Sequence, residues 1–121
     1  MADLPILRHY RALVAGGGYI GGADLRAIHA FGERAAMSAQ AATINFNSVD
    51  SAVEFKEAML PGWFWRCGHG SAEPGWAHLN RVHPDHCDRI DEASGKAPTP
   101  AQALVVAVLN ALIAIEESKH G

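Results

Sequence analysis

The chain has 121 residues, 49% of them apolar and 19% charged, with a formal net charge of -3. That size suits one domain with a core of its own, expected here to join a helical part, 1–42, to an α+β core, 43–121. The basic residues are scattered singly along the chain, so general binding of nucleic acid through a basic surface is disfavoured.

Asp3 and Pro5 mark a helix start, with Leu4, Leu7, Arg11 and Val14 along one face. The glycines of Gly16–Gly22 end it, because so many in one stretch cost too much backbone entropy for a regular element. A phosphate-cradling loop would need a preceding strand and a following Lys-Ser/Thr, and neither is present. A second helix is predicted from Asp24 to about Ala42, with Leu25, Ile28, Ala35 and Ala39 near one stripe. The long Gly-rich connection between the two is too loose for a helix-turn-helix.

"ATINFNS" (42–48) carries a short β-type alternation and is a possible extra strand. Asn47 or Ser48 then caps a third helix, whose apolar stripe is Val49, Ala52, Val53 and Met59 and which Pro61-Gly62 ends. Alternation next puts Trp63, Trp65 and Cys67 on one strand face and Phe64 and Arg66 on the other. In "WAHLNRV" (76–82), Trp76, His78 and Asn80 oppose Ala77, Leu79 and Arg81. The pair predicts an antiparallel hairpin with a long loop. "HPDHCDRIDEASGKAP" (83–98) is polar and reads as irregular. Thr99 caps the last helix, with Pro100 at its first position and Gln102 completing a capping box. That helix is apolar almost all round, which predicts burial on more than one side.

The expected fold is therefore α+β: two N-terminal helices, a third helix, and a Trp-rich hairpin packed on a long buried C-terminal helix. Asp3 and two arginines within the first apolar run do not make a secretory signal. The stretch 97–115, with two prolines, Gln102 and Asn110, is expected to fall short of a membrane span. Two cysteines in such a chain read as reduced thiols, so the expected location is cytoplasmic.

Four kinds of site are worth weighing. Cys67 and His69, with His83, His86 and Cys87, supply zinc-type ligands in two groups, although neither group has the common spacing of a zinc knuckle. Cys67 or Cys87 beside a histidine would be a nucleophile pair, but no local signature or oxyanion loop surrounds either thiol. Trp63, Trp65 and Trp76 would stack bases from a sheet face only with cations beside them, and Arg66 and Arg81 are predicted on the opposite side. The tryptophans are instead expected beneath the last helix as core. A protein-binding surface remains, with Tyr10, Tyr19, Phe64 and the acidic loop residues Asp85, Asp88, Asp91 and Glu92 as its contacts.

From Phe46 to about Ile115 the chain resembles small proteins of bacterial prophages and mobile elements. "LPGWFW" (60–65), the hairpin after it and "PTPAQAL" (98–104) carry the resemblance. These are packing and capping motifs, so it implies a fold and a genomic setting and carries over no catalytic residue. In size and charge the chain is similar, as a class, to phage inhibitors of bacterial defence such as anti-CRISPR proteins. The expectation is a non-enzymatic module without a cofactor, binding a protein or ribonucleoprotein complex such as a host defence nuclease and blocking it sterically. Direct contact with nucleic acid or membrane is not expected. The alternative is a zinc-stabilised structural domain.

Overall fold

The computed structural model describes residues 4–17, 32–44, 48–72, 74–83 and 85–120. Along them run α1 (Leu4–Ala15), α2 (Glu33–Ile44), α3 (Val49–Met59), β1 (Phe64–Gly68), β2 (Gly75–His83), β3 (His86–Ala97) and α4 (Pro100–His120). The three strands form one antiparallel sheet in the order β1-β2-β3. The fold is α+β, with α4 packed between the sheet on one side and α1 and α3 on the other.

Leu7, Tyr10 and Val14 recur at helical spacing and are the buried face of α1. Tyr10 was expected at the surface and is instead 1% exposed. Its hydroxyl donates to the Ala39 carbonyl at 3.0 Å, and its ring meets Phe55 edge-on at a centroid distance of 5.7 Å. Gly17, at φ +73°, closes the helix. The predicted second helix is described from Glu33 onward, and Leu25 and Ile28 lie outside the described residues. Ala42–Ile44, expected to open a strand, form the last turn of α2. An alanine-rich run favours helix, and so brief an alternation does not outweigh it.

Ser48 caps α3 as predicted, its Oγ accepting from the Ser51 N–H at 3.2 Å. The buried residues of α3 are Ala52, Phe55 and Lys56; of the predicted stripe only Ala52 is fully buried, Val49, Val53 and Met59 are half-buried, and neither Phe55 nor Lys56 was foreseen. The whole Lys56 side chain is covered, and its ammonium donates to Glu57 Oε1 at 2.8 Å. The Leu60 N–H returns to the Lys56 carbonyl at 2.7 Å, and Gly62 at φ +86° turns the chain into the sheet.

In the sheet, Phe64 lies opposite Asn80 and Gly68 opposite Trp76; across the next seam, Gly75 lies opposite Ala97 and Val82 opposite Ile90. Alternation along these pairs turns Cys67, Ala77, Leu79, Ala93 and Gly95 toward α4. Thr99 Oγ1 accepts from the Gln102 N–H at 3.1 Å, as a helix cap should. The Gln102 side chain, expected to complete a capping box, donates from Nε2 across to the Val14 carbonyl at 2.6 Å. Every residue from Ala101 to Leu109 is buried. By length and composition Pro100–Ser118 would reach across a membrane, contrary to the sequence expectation. In this fold 72% of that window is buried.

The stretch expected to be irregular is the longest strand, β3. Its inward positions along α4 are small (Ala93, Gly95, Ala97) after the charged Asp91, and its outward ones are polar apart from Ile90, so it has no sustained apolar alternation to announce it. The tryptophans also part company. Trp63 is 4% exposed and buried, Trp65 is 40% exposed at the edge of the sheet, and Trp76 lies half-buried on the face away from α4. Only Trp63 is core in the sense expected.

Candidate interaction surface

The face of the sheet turned away from α4 is built row by row from the strand register. Lys96 lies opposite Trp76, which lies opposite Gly68; the next row is Ser94, His78 and Arg66; the third is Glu92, Asn80 and Phe64; Ile90 and Val82 make the last. Phe64 is 70% exposed, Ile90 54% and Val82 53%. Phe64 is diagonal to Val82, so these three make one apolar patch at the end of the sheet nearest the β2–β3 turn. Toward the other end the face changes to an aromatic ring with basic neighbours.

Polar contacts hold the middle of this face. Asn80 Nδ2 and His78 Nδ1 are 3.4 Å apart, and His78 Nε2 lies 3.5 Å from Glu92 Oε1. On the reverse face at the same end, Arg81 donates from Nε to Asp91 Oδ2 at 3.0 Å. Its guanidinium carbon stands 4.9 Å from the Trp63 ring centroid. A cleft of about 320 Å³ opens beside this pair, bordered by Ala111, Ile115 and Ser118 of α4. Stacked on one side and ion-paired on the other, Arg81 serves as a clamp between β2, β3 and Trp63.

The predicted contact residues fare differently. Tyr19 lies outside the described residues, as does the side chain of Asp88. Asp85 is exposed in the turn between β2 and β3. Asp91 does not belong to a solvated acidic loop: it faces inward with its side chain 16% exposed, paired to Arg81. Glu92 is exposed on the outer face. Val82 and Ile90 were missed as contacts, because exposed β-branched residues look in sequence like strand core.

The two zinc-type groups are separated by the register. Cys67 lies opposite Ala77, whereas His83 ends β2 and pairs with His86. Six residues of strand place the groups about 20 Å apart, an order of magnitude beyond a zinc–ligand bond. They do not share one tetrahedral centre, which removes the geometric basis of the zinc alternative. Cys67 is half-buried on the face toward α4, and burial pushes its thiol above the ordinary range. A cysteine nucleophile needs the opposite shift.

The expected opposition of tryptophans and cations is also corrected. Trp76 shares its face with Arg66, because the long loop brings Trp76 opposite Gly68, in step with Phe64 and Arg66 rather than with Trp65. No family model, no curated protein and no solved structure matches the chain.

Proposed function

We propose that the protein is a non-enzymatic interaction module that binds a larger complex through the solvent face of its sheet and acts by steric occlusion. One observation carries this reading. Among the described residues five large apolar side chains are exposed, and four of them (Phe64, Trp65, Val82 and Ile90) lie on the sheet. Three of those share one face and adjoin one another, and a contiguous apolar patch is the usual mark of a binding surface. The sheet is backed along its length by the buried α4, which supplies the rigidity that blocking requires. A protein or ribonucleoprotein complex of a bacterial host, such as a defence nuclease, is the partner class. The resemblance to prophage proteins supports that class, and with it a cytoplasmic location.

The test is affinity capture from a bacterial host with the unaltered chain and with Phe64→Ser/Ile90→Ser. The double variant removes exposed apolar area and is expected to melt within a few degrees of the unaltered protein while losing the captured partner. Undiminished capture by the folded double variant would place the surface elsewhere. Turnover of a small molecule by the isolated protein would overturn the non-enzymatic reading.

A further inference from the structure

The other end of the same sheet face has a different chemistry. A β-carbon at Gly68 would stand 2.6, 2.7 and 2.9 Å from Cζ2, Cε2 and Nε1 of Trp76. Three adjoining ring atoms this near place the indole of Trp76 over the glycine on the solvent face of the sheet, where the residue is half-buried. Lys96 is directly across from Trp76 on β3, one strand spacing away, and Arg66 occupies the adjoining row opposite His78. Both basic side chains are exposed. His78 follows Trp76 on the same face after about 7 Å of strand, a step comparable to that between successive nucleotides of an extended strand.

We infer that this end of the sheet is a stacking platform for single-stranded nucleic acid, with one base on Trp76, its neighbour beside His78, and the connecting phosphates near Lys96 and Arg66. A flat indole stacks any base because every base has a π-face, and flanking cations hold the backbone without reading sequence. A protein partner explains the apolar patch at Phe64, Val82 and Ile90. It gives no reason for an indole on the solvent face bracketed by two cations, and the phosphate backbone has the complementary charge. A chain of net charge -3 binds duplex poorly, so the site favours unpaired strands, whose bases are free to stack.

The experiment uses the full chain with short single-stranded RNA and DNA oligonucleotides of mixed sequence, read by tryptophan quenching and by anisotropy across a salt series. Binding is expected for single strands and not for a duplex of the same sequence. Two phosphate contacts give a slope of about −1.4 in log K against log salt. Trp76→Ala is expected to weaken binding roughly tenfold or more, Trp76→Phe to retain most of it, and the exposed Arg66→Glu to weaken it and flatten the slope. Val82→Ser/Ile90→Ser, which alters the apolar patch only, is expected to leave oligonucleotide binding intact. No binding at the lowest salt, equal binding of duplex, or unchanged binding in both Trp76→Ala and Arg66→Glu overturns the proposal. So does a Trp76→Ala change that abolishes capture of a protein while the unaltered chain binds no oligonucleotide. Those failures leave the interaction reading standing, which has its own test in Phe64 and Ile90.

Discussion

Gly95 faces the helix on which its sheet packs, and a β-carbon there would stand 2.5 Å from the Ala103 carbonyl oxygen and 2.6 Å from the Ala107 nitrogen. Both neighbours are backbone atoms of α4, so neither yields as a side chain would. Gly95→Ala is expected to destabilise the protein by about 1–3 kcal/mol through overpacking, read as a lowered denaturation midpoint. An unchanged midpoint would mean that β3 and α4 do not approach this closely. Tyr10 makes a second residue-scale prediction. Burial raises its phenol well above the ordinary value of about 10. The folded state thus favours the neutral form, and the contribution is complete below the unfolded value and lost as pH rises beyond it. Stability should fall above about pH 10, and less steeply in Tyr10→Phe; parallel pH profiles would contradict the buried hydroxyl.

Elements are tied together here by a few side chains that reach groups on distant elements. Gln102, near the start of α4, donates to the Val14 carbonyl in the last turn of α1, which also accepts from the Gly17 N–H at 3.1 Å. Asn110, further along α4, donates to the Ser94 carbonyl at 2.8 Å and accepts from Arg11 at 3.1 Å, joining β3, α4 and α1. Gln102→Ala is expected to cost about 0.5–1.5 kcal/mol, the net worth of one hydrogen bond, since the Val14 carbonyl keeps the Gly17 N–H. A loss smaller than that of an exposed alanine substitution on α4, measured by chemical denaturation, would show the bond to be idle.

These ties explain which elements were legible in the sequence. The Ser48 and Thr99 caps and the hairpin alternation are local signals, and they located α3, α4, β1 and β2 closely. The strand β3 was illegible because its inward face is small for the sake of contact with α4, a requirement set by a helix that follows it. Asp91 was misread for the same kind of reason: its partner Arg81 is opposite only once β3 pairs with β2. The candidate surface was half legible. Phe64 was foreseen as exposed, whereas the company of Trp76 and Arg66 depends on a register that the loop between the strands decides.

At the scale of the molecule, one layer of sheet covers α4 from one side and helices cover it from the other, leaving the far face of the sheet turned to solvent. The account's central claim is that this face is where the partner sits. Hydroxyl-radical footprinting of the captured complex tests it most directly, because the exposed rings report their own burial. Met37, 56% exposed on α2 and on the opposite side of α4 from the sheet, is the internal reference. The account predicts that oxidation of Phe64 and Trp76 is suppressed in the complex while Met37 reacts as in the free protein. Suppression at Met37 with Phe64 and Trp76 still fully reactive would contradict it.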